Sequence, residues 1–364
     1  MKRALKTAVA GVLIGLSSPS AFADDIVDQA KADLVVYAGP QSDWRGPTSS
    51  PKPLAGKKIA YISNDENNDA SRAWGVAIQE AGKQIGWEVT IIDGKATPVG
   101  WINALNQAIA LGVDGIITSA DAASMQEPIA EAKAKGIPVV GIHAAALPGP
   151  NAELGLFTNI QQDPRDIGKA QADWIIADSN GKAKVVVTSH NEFAIAETKS
   201  RATEARLKAC PGCEVVEYVS SPIAEVAESQ PQLVISWIQK YGTPLYVTAV
   251  ADYTLDFQVP ALRSAGVNVG DIKLVGADGQ RSAYERIRTG EYQVVTVSEP
   301  TEMQAYQAVD EINRAIQGQP PSGFVQAPYL VTPQNVDAEG GDQNAFVPTN
   351  DYKKRYLELW GVAG

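Results

Sequence analysis

KIAYIS at residues 58–63 and EVTII at 88–92 are short apolar runs rich in β-branched residues, and between them Trp74, Ala77, Ile78, Ala81 and Ile85 recur at i, i+3, i+4, i+7 and i+11. That spacing predicts a strand, an amphipathic helix stopped by Gly86, and a second strand. The rhythm continues. Trp101, Ala104, Leu105, Ala108 and Ile109 mark a helix, GIIT at 115–118 a strand, 122–135 a helix and PVVGI at 138–142 a strand. Strands this apolar on both faces, each followed by a helix, predict a parallel sheet covered on both sides, with right-handed crossovers. A second series follows, with strands at 184–187, 214–218, 245–250, 273–276 and 293–297. Helices are expected over 163–177, 198–208, 224–239, a segment ending at 260–265, 281–288 and 302–317. The fold class is therefore α/β, with two doubly wound parallel-sheet lobes. The Pro-rich stretch 39–53 and the tail 333–364 belong to neither series and are expected to wrap the surface.

The chain has 364 residues and a net charge of −11. No basic field exists to displace counterions from phosphates, so nucleic acid is not an expected partner. Residues 1–23 read as a signal peptide. Lys2, Arg3 and Lys6 precede a short apolar run at 8–16, and Ser20-Ala21-Phe22-Ala23 has the A-x-A pattern of a cleavage site. Cleavage after Ala23 would export the chain to the periplasm and, by removing three cations, take its charge from −11 to −14. The two His and two Cys do not have zinc-site spacings, so no metal and no cofactor is expected. In an oxidising compartment Cys210 and Cys213 should form a disulfide. The pair follows a helix C-terminus, where the dipole disfavours a thiolate, so a structural staple is expected over a redox pair.

No phosphate loop, dinucleotide fingerprint, nucleophile elbow or zinc-protease motif is present, and no enzyme activity is expected. Ligands of open parallel sheets bind beyond the carboxyl ends of the strands. Here those ends are polar: 64–69 (NDENND), Ser119 and Asp121, His143, 189–193 (SHNEF), Asp252-Tyr253 and Asp278. Such groups exchange hydrogen bonds with hydroxyls, and aromatic rings cover the apolar faces of a polyhydroxylated ligand. Each has a competing role: Asn67 or Asp69 as cap of the first helix, Asp121 and Asp252 as caps of theirs, Asp278 as a turn residue. Trp74 sits on a core stripe. Trp101 stands at the mouth of a helix, and His143 ends a buried strand where no cap is needed.

The ordered set Lys58–Ile62 with a downstream Asn67, Gly112-Val113-Asp114-Gly115-Ile116-Ile117, Gly136-Ile137-Pro138-Val139-Val140 and Val275-Gly276-Ala277-Asp278-Gly279 resembles the type I periplasmic solute-binding proteins of ABC importers, in particular the ribose/galactose-binding group. The resemblance covers roughly residues 55–330 and implies a hinged two-lobe clamp with three chain crossings, placed near 159–163, 297–300 and 323–328. It implies lobe 1 at 56–161 plus 299–325, lobe 2 at 162–298 plus 326–364, and an N-terminal arm at 24–55. Carried over position by position, the family's contacts fall on Asn67, Asp121, Asp252 and Asp278. Trp101, His143, Phe193 and Lys199 complete the candidate ligand-binding set. Departures stand beside the matches. Ala70 and Ser71 replace paired aromatics, His143-Ala144 replaces an Asp-Arg pair, and Glu197 with nearby Lys199 stands where an arginine is usual. The site lacks the arginine forks that grip ring hydroxyls. The expected ligand is a small sugar or polyol, the expected partner a membrane permease, and the expected state a monomer. Two rivals are a sensor clamp that presents a signal molecule to a membrane receptor, and an exported enzyme using Asp121 and His143 as acid and base.

Overall fold

The computed structural model describes residues 19–362. The expected signal peptide lies outside them, except for residues 19–23, which begin the first helix. In chain order the elements are α1 (Pro19–Tyr37), β1 (Lys58–Ser63), α2 (Asp69–Gln84), β2 (Glu88–Asp93), α3 (Pro98–Ala110), β3 (Gly115–Thr118), α4 (Gln126–Ala134), β4 (Val139–Ile142), β5 (Gly149–Asn151) and β6 (Leu156–Ile160). The second series has α5 (Pro164–Asp178), β7 (Lys184–Ser189), α6 (Ala194–Lys208), β8 (Glu214–Ser220), α7 (Val226–Tyr241), β9 (Leu245–Thr248), α8 (Asp252–Ser264), β10 (Ile272–Asp278), α9 (Arg281–Thr289) and β11 (Gln293–Ser298). α10 (Thr301–Ile316), β12 (Tyr329–Val331) and α11 (Tyr352–Trp360) complete the chain.

Two six-stranded sheets form, ordered β2-β1-β3-β4-β6-β5 and β12-β11-β10-β9-β7-β8. Each is parallel except for one edge strand, β5 on β6 and β12 on β11. The two edges have only three residues each, and β6 carries Thr158 and Asn159 inside its apolar run; none of the three is among the strands expected from sequence. Side-chain alternation divides each sheet between two cores. Ile59 and Tyr61 pack with α2, α10 and α11. Ala60 and Ile62 pack with α3 and α4 on the opposite face. In the second sheet Val185 and Val187 join α1 and α5, and Val186 joins α7 and α8. Double-sided burial is why these strands read as unbroken apolar runs.

The three expected crossings are the segments joining β6 to α5, β11 to α10 and α10 to β12. Gln162, fully buried, clasps them together: its Nε2 donates to the carbonyls of Ser298 at 3.1 Å and Ala327 at 2.9 Å. Gln162→Leu should strand both acceptors and destabilise the chain by about 1–2 kcal/mol. Calorimetry should show a melting point several degrees lower; an unchanged value would remove the clasp from the hinge.

The termini add two further crossings, which corrects the expected boundaries. In the arm, α1 packs on α5 of lobe 2, with Asp33 bonded to Lys169. The chain then crosses to lobe 1, where Trp44 stacks edge-on against Tyr356 at 5.3 Å and Arg314 bonds the Ser49 carbonyl. The tail does likewise. β12 lies on the second sheet and Val336 and Phe346 pack beside Tyr284, but Tyr352, Tyr356 and Trp360 of α11 are buried in the core of lobe 1. Residues 352–360 therefore belong with lobe 1 rather than lobe 2. The indole of Trp360 donates to Asp310 on α10 at 2.9 Å, which satisfies a polar atom that burial would otherwise penalise. Cys210 and Cys213 are bonded to each other.

Candidate functional site

The carboxyl ends of both sheets face one cleft. It has two adjoining compartments, a chamber of about 120 Å³ against the crossings and a second, the vestibule, of about 380 Å³. The chamber floor is a chain of polar contacts that begins on lobe 1. Trp74 on α2 donates its indole N–H to Gln304 Oε1 at 2.9 Å, and Gln304 Nε2 donates to Glu299 Oε2 at 2.6 Å. His143 Nε2 meets the same carboxylate oxygen at 2.6 Å, and its ring stands edge-on to Trp74 at 4.9 Å. Trp74 is thus both a core residue and a wall of the chamber.

Lobe 2 supplies the countercharge. The Lys199 ammonium on α6 donates to Asp278 Oδ1 at 2.6 Å and to the Val250 carbonyl at 3.2 Å, and lies 3.9 Å from Glu299 Oε1. Burial works to discharge Lys199, but Asp278 and Glu299 outweigh it and hold its pKa above the ordinary lysine value. Burial likewise pushes the Glu299 carboxyl up. His143, Lys199 and the Gln304 hydrogen bond overcome that and keep it below the usual glutamate range. Glu299 Oε1 is buried and, among the described residues, has no hydrogen-bond partner.

Two backbone features aim these groups. His143 (φ 57°) and Asp278 (φ 84°) occupy the left-handed region, which non-glycine residues adopt at a cost that is concentrated at ligand sites. The Asp278 turn is held from behind by Asp252. One oxygen of its carboxylate accepts from the N–H groups of Gly279 at 2.9 Å and Gln280 at 3.1 Å and from Thr296 Oγ1 at 2.8 Å. The other accepts from Gln293 Nε2 at 2.7 Å. The carboxylate reaches this position because residue 276 is glycine, where a Cβ would sit 1.8 Å from Asp252 Oδ1. Burial pushes the Asp252 carboxyl up to about 7, against the pull of Arg286 and Thr296.

The eight residues singled out from sequence separate into three groups. His143, Phe193, Lys199 and Asp278 line the chamber. Asn67 and Trp101 line only the vestibule; Asn67 is exposed and bonds Asp65, while Trp101 is buried and donates to the Asn64 carbonyl at 2.9 Å. Asp121 and Asp252 line neither. Asp121 caps a short 3₁₀ turn, accepting from Ser124 N at 3.0 Å and Oγ at 2.9 Å. Asp252 is wholly buried behind its loop, and Ala251 rather than Asp252 is the N-cap. An acid–base pair of Asp121 with His143 is not formed, because His143 is engaged with Glu299.

Glu299 and Gln280, which the sequence reading does not single out, line the chamber wall; so do Ser71, noted there only as a departure, and Asn64 and Asn68 from the polar 64–69 strand end, whereas Asn67 does not. The first helix is capped by Asn68, not by Asn67 or Asp69: its side chain accepts from the N–H groups of Ala70 and Ser71. Glu299 directly follows β11, so the strand-end rule could have found it; its place at a crossing drew attention to the hinge instead. His190 also lines the chamber, but both ring nitrogens are engaged, Nδ1 with the Ser221 carbonyl at 2.7 Å and Nε2 with Thr254 Oγ1 at 2.9 Å. Its role is to hold the wall.

The family model described as periplasmic binding protein domain matches residues 59–320. A comparison with curated proteins returns no match. Among solved structures, the chain is similar to an ABC transporter solute binding protein from Agrobacterium vitis with bound allitol, at TM-score 0.69 and 19% identity over 78% of this chain and 98% of that one. A sugar ABC transporter protein from Yersinia enterocolitica has TM-score 0.71 and 21% identity, over 87% of this chain and 100% of that one. An ABC transporter solute binding protein from Bacillus halodurans with bound myo-inositol has TM-score 0.68 and 19% identity, over 78% and 97%. At these identities the likeness concerns the fold.

Proposed function

The chain belongs to the periplasmic binding protein domain family, and from that premise we propose that it is the solute-binding component of an ABC importer, capturing a small sugar or polyol between its lobes and delivering it to the membrane permease. The observation that carries this reading is Glu299. A buried carboxylate oxygen with a cation at 3.9 Å but no hydrogen-bond partner among the described residues is costly unless a ligand donor completes it. Around it stand hydrogen-bonding groups from both lobes, so the full set of contacts exists only when the lobes are closed. The Trp101 and Phe193 rings, 6.4 Å apart across the cleft, add an apolar contact to the closed state.

A thermal-shift screen of the chain, purified from the periplasmic fraction of an expressing bacterium, tests the reading against pentoses, hexoses, polyols and small non-sugar metabolites. A ligand at ~1,000-fold its Kd stabilises by about 4 kcal/mol, a shift of roughly 8–16 °C. Such a shift with a sugar or polyol recovered unchanged supports the proposal. A response confined to non-sugars removes the sugar class and leaves the clamp, and turnover of the bound compound favours an enzyme.

A further inference from the structure

Whatever the solute, we infer that the arm and the tail form a pair of straps across the hinge that limit how far the two lobes can part. A carboxylate on each lobe ties both of them. On lobe 2 it is Glu339, which accepts from the Gln41 N–H of the arm at 2.9 and 3.0 Å. From the tail it accepts Thr349, the N–H at 3.2 Å and Oγ1 at 2.8 Å. Gln41 Nε2 also donates to the Pro328 carbonyl at 3.0 Å, and Asn335 Nδ2 to the Ala38 carbonyl at 3.3 Å. On lobe 1 it is the buried Asp310 of α10. One of its oxygens accepts from Ser50 Oγ of the arm and from the Trp360 indole of the tail. The other is held by Arg314, which also reaches the Ser49 carbonyl.

Little chain is left between these anchors. In the arm only Ser42 and Asp43 separate Gln41 from Trp44, whose ring packs on Tyr356 of lobe 1. Fully extended, that span reaches no more than about 11 Å. In the tail Thr349 is bonded to lobe 2, while Asn350 donates to Met303 Sδ on lobe 1, so adjacent residues belong to different lobes. The arm also stands off the pivot. A cavity of about 680 Å³ is bounded by the arm, all three crossings and Asn350, and it shares no residue with the chamber or the vestibule. Rotation about the crossings moves such off-axis anchors relative to one another, and segments this short cannot follow without releasing their carboxylates. All these bonds are made in the state where the Trp101 and Phe193 rings face each other across the cleft, so they favour that state over an open one even before a solute binds.

Lengthening the straps without touching their anchors tests this. Six Gly/Ser residues inserted between Ser42 and Asp43, and six between Thr349 and Asn350, add roughly 13 Å of flexible reach to each strap. Spin labels on Asn103→Cys and Glu228→Cys, exposed positions on α3 of lobe 1 and α7 of lobe 2, report the lobe separation in the solute-free, periplasmically purified chain. With normal strap lengths, double electron–electron resonance should give one narrow distance distribution. The double insertion should give a broader one whose mean is several ångströms longer, and Glu339→Ala, which unties both straps on lobe 2, should fall between them. Equal distributions with normal and lengthened straps overturn the inference, as does a broad distribution at normal length. Neither result bears on whether the cleft binds a sugar, which the thermal-shift screen decides separately.

Discussion

Lys199→Met will leave the half-buried Asp278 and the buried Glu299 near each other without their shared cation. The substitution keeps the unbranched apolar stem, one atom shorter, and removes the one charge that offsets both carboxylates. Breaking a buried ion pair by removing one partner costs about 3–5 kcal/mol, so the melting point should fall by on the order of 10 °C. The loss will depend on pH. Without the ammonium the carboxylates repel, the folded-state pKa of one rises above its unfolded value, and the folded form then binds a proton more readily than the unfolded form. Stability of the variant should therefore be closest to wild type at pH 5 and fall as pH rises toward 8. Ligand response should be lost across that range. Adding Asp278→Asn should recover part of the stability at pH 8. Melting curves of the three proteins at pH 5, 6.5 and 8 check this, and a pH-independent deficit would show that the ammonium does not balance these carboxylates.

The second large effect is expected at Asp252. In Asp252→Asn the carbonyl can keep the Gly279, Gln280 and Thr296 donors, but its NH₂ then faces the NH₂ of Gln293. That amide cannot turn over, because its oxygen accepts from Arg286 Nε at 2.8 Å. One donor-to-donor clash in a fully buried position costs about 1–3 kcal/mol. The turn carrying Asp278 and Gln280 should shift, weakening ligand binding about tenfold or more although residue 252 lines no part of the cleft. The wild-type carboxyl, raised to about 7 from an ordinary 3.8, makes the folded state the better proton acceptor between those values. Its contribution to stability consequently falls as pH rises from about 4 to about 7, and the Asn variant should lack that slope. Titration calorimetry and melting curves from pH 4 to 8 read both effects; an unaltered ligand affinity would show that the turn does not depend on this carboxylate.

Much of the architecture was legible before any coordinate. The apolar strands at Lys58–Ser63 and Lys184–Ser189 and the helical spacing from Trp74 to Ile85 have no stable solution except a sheet covered on both faces. Those patterns repeat along the chain, so a small error in one element does not disturb the whole. The edge strands were not legible, because Gly149–Asn151 and Tyr329–Val331 are too short to show an alternation and pair only through their neighbours' backbone. Nor was the tail. Tyr352, Tyr356 and Trp360 lie on one helical face, but no local rule says which lobe that face will cover.

The candidate site divides along the same line. Local chemistry reads equally well as a cap or as a ligand contact for Asn67, Asp121 and Asp252, since each is an oxygen-bearing side chain at a strand end. The choice rests on where the chain turns next: Asn68 takes the helix cap, Asp121 closes on Ser124, and Asp252 enters the space left by Gly276. Periodicity and composition were enough to specify two doubly wound lobes, an anionic chain and a cleft at the strand ends, because those depend on averages over many residues. Glu299 with its lone oxygen and the Lys199 bridge depend on contacts between residues 79 to 156 positions apart, and such contacts exist only once the tertiary fold has formed.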